Sequence, residues 1–88
     1  MPSINVYTAK PCGFCNAAIR FLTQVKNVEV NEIDLTRNHE KRMELIQQTG
    51  HRTVPMIFIG EKFIGGYSEL RSLDSQKLLD PLLEIEKK

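Results

Sequence analysis

Ile4-Asn5-Val6-Tyr7-Thr8-Ala9-Lys10-Pro11-Cys12-Gly13-Phe14-Cys15 is the stretch on which the reading of this chain turns. Its first five residues are β-branched and aromatic apart from Asn5, which reads as a short strand. Pro11 would end that strand and put Cys12 at the mouth of a helix, because Cys15, Ala18, Ile19 and Leu22 then recur at i, i+3, i+4 and i+7. The chain has 2 cysteines, so this C-x-x-C pair is all its thiol chemistry. A thiol attacks another sulfur only as thiolate, and free cysteine, with a pKa of roughly 8.5, is mostly protonated near neutrality. Unpaired N–H groups and the positive end of the helix dipole favour the anion at a helix mouth, and Lys10 adds a nearby cation. Cys12 is the expected nucleophile. Cys15, one turn inside and more shielded, is the expected resolving thiol.

Outward from this pair, Val28 to Asp34 predicts a second strand, with Ile33 out of step with Val28 and Val30. Thr36 to Glu40 leads into a helix that carries Met43, Leu45 and Ile46 and ends at Gly50. Met56-Ile57-Phe58-Ile59 is continuously apolar, as in a central strand covered on both faces. Gly60-Glu61-Lys62 turns into Phe63-Ile64 to make an antiparallel hairpin, which Gly65-Gly66 breaks. Tyr67, Leu70 and Leu73 give a short helical face. Asp80-Pro81 reads as an N-cap and first-turn proline opening a last helix with Leu82, Leu83 and Ile85. Residues 75–79 receive no assignment. The order is β-α-β-α-β-β-α, an α/β fold whose first two strands run parallel through a right-handed crossover.

Eighty-eight residues make one domain, 1–88. An apolar fraction of 41% with 26% charged residues supports a core without disulfide stapling, and two cysteines are too few for a secreted scaffold. A net charge of +1 gives no electrostatic case for nucleic acid or an acidic membrane. Met1-Pro2-Ser3-Ile4-Asn5 has no charged segment followed by an apolar one, so no signal peptide is expected, and no apolar run approaches membrane-spanning length. A reducing, cytoplasmic setting follows, where a C-x-x-C pair is more often catalytic or metal-binding than structural. Zinc needs four ligands, and His39 and His51 lack the usual spacing. Redox chemistry is favoured.

Three segments then resemble the signatures of the glutaredoxin family: Lys10-Pro11-Cys12-Gly13-Phe14-Cys15, Thr53-Val54-Pro55 and Gly65-Gly66-Tyr67. The likeness extends through residues 50–59 and on to Leu73-Asp74 and Leu79-Asp80-Pro81-Leu82-Leu83, nearly the whole chain, and is nearest to the short bacterial members. It implies a thioredoxin-like fold, with a four-stranded mixed sheet flanked by helices. It implies glutathione as reductant and co-substrate, no required metal, and a monomer acting on disulfide-containing or glutathionylated proteins. Val54-Pro55 should be a cis peptide that turns the Val54 backbone toward a bound peptide. Lys10 and Arg52 are the implied cations for glutathione, Thr53, Val54 and Pro55 its wall, and Phe14 a ring beside it. Gly66 would let the backbone approach, with the Tyr67 and Ser68 N–H groups receiving the γ-glutamyl carboxylate. Each has an ordinary alternative: solvated cations at Lys10 and Arg52, a core ring at Phe14, a plain turn at Gly65-Gly66.

Two departures stand out. The dithiol class usually has Pro and Tyr between its cysteines, whereas Gly13-Phe14 is the middle of the monothiol class. That class also carries extra residues before its cysteine and a Trp-Pro segment, and this chain has 0 tryptophans, so the dithiol class fits better. Ser68-Glu69 stands where the family often has Asp-Asp, which predicts weaker recognition of the γ-glutamyl amine. Gly13-Phe14 also leaves open an iron–sulfur carrier, a homodimer in which two Cys12 thiolates and two glutathiones hold a [2Fe–2S] cluster. A thioredoxin-type protein is disfavoured by the missing tryptophan and by the Thr53-Val54-Pro55 and Gly65-Gly66 segments.

Overall fold

Ile4, Val6 and Thr8 are buried while Asn5 and Tyr7 between them are half-buried, so the expected first strand, β1 (Ile4–Thr8), alternates in burial. The structure is a computed structural model and describes residues 3–84. β1 lies inside a four-stranded sheet of order β2-β1-β3-β4, where β2 is Asn31–Asp34, β3 is Met56–Ile59 and β4 is Lys62–Gly65. β1 and β2 are parallel, with Val6 opposite Glu32 and Thr8 opposite Asp34. β3 runs antiparallel to both β1 and β4. The helices are α1 (Gly13–Arg20), α2 (His39–Thr49), α3 (Tyr67–Ser75) and α4 (Leu79–Leu82).

Side-chain alternation divides the core. Ile4, Val6, Ile57 and Ile59 meet Ala18, Phe21, Leu22 and Leu70 on one side of the sheet. Met56 meets Leu35 and Leu45 on the other, with Tyr7, Phe58 and Phe63 packed around them. Burying each of these large side chains contributes about 2 kcal/mol before entropy is counted. Continuously apolar β3 is an interior strand that, like β1, contributes to both clusters, as expected.

Several expectations change. The second strand begins only at Asn31: Val28 is buried, but its N–H bonds to the Leu22 carbonyl at 3.1 Å after Asn27 turns the chain at φ 57°. Val28 therefore closes the end of the first helical segment instead of entering a ladder. That segment continues past α1 as a π-helical turn, Phe21–Val25. On α2, Leu45 is buried and Ile46 half-buried, but Met43 is 42% exposed and does not belong to the inner face. β4 includes Gly65, which pairs with Ile57, and Gly66 is the N-cap of α3.

Asp80 is not an N-cap. α4 starts at Leu79, and the Asp80 carboxylate instead lies 2.7 Å from Lys26 Nζ, which also meets Asp74 at 2.5 Å. Lys26 thus ties the π-helical turn to α3 and α4. Residues 75–79 close α3, reverse at Lys77 (φ 62°) and enter α4, so the helical face at Tyr67 and the last helix are separate elements where the order β-α-β-α-β-β-α counts one. Ile85 lies outside the described residues.

Candidate functional site

Cys12 is the N-cap of α1, in extended backbone conformation (φ −156°, ψ 104°). An N-cap side chain normally satisfies an orphan first-turn N–H with an oxygen; here sulfur does it, and the Cys15 N–H donates to Cys12 Sγ at 3.1 Å. The Cys12 thiol in turn lies 3.8 Å from the Val54 carbonyl, which can accept from it. Cys12 is half-buried, Cys15 is 2% exposed, and both are free thiols. Burial, reinforced by the hydrogen bond with Cys12, pushes the Cys15 thiol up to about 12. The two sulfurs share one helical turn but not one environment.

The loop before Cys12 is fastened from β2. The Lys10 N–H donates to Thr36 Oγ1 at 2.9 Å, and the Thr36 N–H donates to Asp34 Oδ1 at 2.8 Å, with the Thr36 hydroxyl bonding the same oxygen. These Thr36 bonds, more than Lys10, hold the Asp34 carboxyl below the ordinary range. Lys10 Nζ is exposed, 3.9 Å from Asp34. The Val54-Pro55 bond is cis, as the resemblance implies, and so is Lys10-Pro11.

A groove of about 400 Å³ runs beside the cysteines. Phe14 from α1, Thr53, Val54 and Pro55 from the loop before β3, and Gly66, Tyr67 and Ser68 from the start of α3 all line it. Seven residues singled out in the sequence thus meet in one place. Gly66 sits close to its neighbours there: a Cβ would stand 3.3 Å from the Pro55 carbonyl and 3.4 Å from His51 Nε2, so both would have to give by a few tenths of an ångström. Gly65 needs its positive φ of 107°, and a Cβ on it would strike Glu69. The Glu69 carboxylate accepts from the Gly66 N–H at 2.7 Å and closes the N-terminal turn of α3. Phe14 is 66% exposed, which excludes a core role, and its ring stacks on Tyr67 at 6.0 Å between centroids.

Lys10 and Arg52 do not line this groove. Lys10 belongs to a second groove with both cysteines, and Arg52 is exposed. His51 and Glu69 line the first groove without having been singled out as binding residues. The His51 ring is held edge-on to Phe63 and has Nε2 3.1 Å from Thr53 Oγ1. Glu69, three residues after Gly66, carries a capping-box spacing that could have marked it; nothing in the local sequence marks His51.

A model of the glutaredoxin family matches residues 4–64. The chain is 39% identical over 84 residues to glutaredoxin 3 of Escherichia coli strain K12, covering 96% of this chain and 100% of that protein.

The chain belongs to the glutaredoxin family.

This glutaredoxin is also 40% identical over 83 residues to a Pseudomonas aeruginosa glutaredoxin, covering 94% of this chain and 98% of that one. It is similar to a solved buckwheat glutaredoxin–glutathione complex, with TM-score 0.85, 29% identity, and 94% of this chain and 77% of that one covered. The fold is the thioredoxin-like one, and family membership makes a thiol oxidoreductase role the coarse functional assignment. None of the relatives named above supports the iron–sulfur reading. No described helix is long and apolar enough to cross a membrane.

Proposed function

We propose that this glutaredoxin is a glutathione-dependent dithiol oxidoreductase, with Cys12 as nucleophile and Cys15 as resolving thiol. The observation that carries the reading is the bond from the Cys15 N–H to Cys12 Sγ at the mouth of α1, with Cys15 itself buried. Cys12 Sγ is the accessible sulfur at the helix mouth, whereas burial disfavours charge on Cys15.

With a glutathionylated protein, Cys12 thiolate attacks the glutathione sulfur, a Cys12–glutathione disulfide forms, and the protein leaves as thiolate. A second glutathione thiolate attacks that sulfur, oxidised glutathione departs, and Cys12 thiolate returns. With a protein disulfide, Cys12 takes one protein sulfur and Cys15 displaces it, closing a Cys12–Cys15 bond that glutathione then reduces in two steps.

The 400 Å³ groove suits the tripeptide. The likeness to a glutaredoxin solved with glutathione supports the assignment. Val54 offers backbone groups for strand-like pairing, Thr53 and Pro55 complete that wall, and Phe14 flanks the ligand. The first-turn N–H groups at Tyr67 and Ser68 receive the γ-glutamyl carboxylate beside Gly66. Lys10 and Arg52 act from outside the groove as mobile cations toward the ligand's carboxylates, through long side chains that must reorient. The protein works as one domain, 1–88, a monomer in a reducing cytoplasm.

The test is coupled turnover. Reduction of a glutathionylated peptide should proceed with glutathione and glutathione reductase and fail with thioredoxin reductase alone. Equal turnover with thioredoxin reductase would overturn glutathione dependence.

A further inference from the structure

Thr8 is the one buried polar side chain among the described residues, 1% exposed, and the dithiol reaction gives it no task. Its hydroxyl donates to Glu32 Oε2 at 3.0 Å across the β1–β2 ladder. Glu32 stands opposite Val6, so its side chain leaves the sheet on the face shared by Val6 and Thr8, against which α1 packs. On that face a groove of about 380 Å³ is lined by Thr8, Lys10, Cys12, Cys15, Asn16 and Glu32, among others. Glu32 is the one anion on this lining and Lys10 the one cation, and Lys10 Nζ is turned toward Asp34 at 3.9 Å. A carboxylate held by Thr8 therefore lines one groove with the buried thiol, and no described residue forms an ion pair with it.

We infer that Glu32, held in place by Thr8, is a positioning charge for the resolving step: its carboxylate makes the Cys15 thiolate harder to form and biases turnover toward the one-cysteine route. The inference rests on the dithiol reading above. In ring closure, Cys15 loses its proton to water in the groove and its thiolate attacks Cys12 Sγ of the mixed disulfide. The Cys12–Cys15 bond forms, the bond from Cys12 to the substrate sulfur breaks, and that sulfur leaves with the electron pair. The titratable groups that line this groove with Cys15 are Cys12 at the mouth of its own helix, Lys10 from the loop before it and Glu32 from β2. Burial and the Cys12 bond already push the Cys15 thiol up, and the Glu32 charge acts in the same direction.

Each unit by which a thiol is raised lowers its thiolate fraction tenfold, and the more basic thiolate recovers roughly half of that on a logarithmic scale, leaving about a threefold slower attack. Glu32 is exposed on an edge strand, so water screens part of its charge. The expected gain on removing it is about two- to threefold.

The experiment mixes reduced protein with oxidised glutathione, quenches with acid at intervals, and follows the Cys12–glutathione adduct converting to the internal disulfide by intact mass. In Glu32→Gln, which keeps an acceptor for Thr8, closure should be at least twofold faster, with its pH profile displaced to lower pH. Raising the salt should speed closure in the unmutated protein and narrow its gap to the variant. A variant that closes at the same rate or more slowly, or a gap that salt leaves unchanged, would overturn the inference. Deglutathionylation by Cys15→Ser tests the dithiol reading separately: its loss would sink that reading, whereas its persistence beside an unchanged closure rate sinks only the role of Glu32.

Discussion

The Cys15 N–H donates to Cys12 Sγ at 3.1 Å, so the proposed resolving residue also caps the sulfur of the proposed nucleophile. The same turn of α1 buries Cys15 to 2% exposure while Cys12 remains half-buried at the entrance. Position in one helical turn is thus the physical basis of the division of labour proposed for the two thiols.

Alkylation should expose that asymmetry. Iodoacetamide at neutral pH is expected to add one group per native chain, found on the peptide containing Cys12. Cys15, shielded and pushed up to about 12, should react only after unfolding or in strong alkali. Two adducts formed at similar rates in the native protein would contradict the assignment.

Substitutions at the paired glycines should separate stability from binding. Gly65→Ala forces a side chain into φ 107° and against Glu69, so the Glu69 cap on Gly66 must break; a loss of about 1–3 kcal/mol is expected in denaturant unfolding. Gly66→Ala needs only a few tenths of an ångström from the Pro55 carbonyl and the His51 ring. Its effect should fall on the groove, as a several-fold higher KM for a glutathionylated peptide with kcat little changed. A KM equal to that of the unmutated protein would remove Gly66 from the binding surface.

Much of this could be read from the residues alone. The β1–α1 entrance is legible because Ile4, Val6 and Thr8 keep a period of two and Cys15, Ala18 and Leu22 then keep one near 3.6. Val28 and Val30 imitate strand alternation, but the Val28 amide is taken by the Leu22 carbonyl, a bond set by how the π-helical turn ends. Asp80 carries the local signal of a cap and instead answers Lys26, more than fifty residues earlier in the chain. Glu32 and His51 were invisible as site residues for a related reason. Their neighbours, Cys15 for one and Gly66 for the other, are set by register and tertiary packing, which local patterns do not encode.

Lys26 should matter for stability and not for turnover. Asp74 and Asp80 hold its ammonium above the ordinary lysine value of 10.5. A raised cation stabilises the fold fully below the unfolded value, so its contribution persists through neutral pH and disappears as pH climbs beyond about 10.5. Lys26→Met leaves two largely buried carboxylates unanswered and should cost roughly 2 kcal/mol or more, short of the 3–5 typical of a fully buried pair. Its stability should also lack this lysine-dependent alkaline loss. Unchanged thermal unfolding at pH 7 would show that the three-residue tie is dispensable.

The most direct test compares glutathione-coupled turnover in Cys12→Ser and Cys15→Ser, with a glutathionylated peptide and a protein disulfide as substrates. The account predicts no turnover of either substrate by Cys12→Ser, and continued deglutathionylation with loss of protein-disulfide reduction by Cys15→Ser. Comparable loss of deglutathionylation in both variants would contradict it.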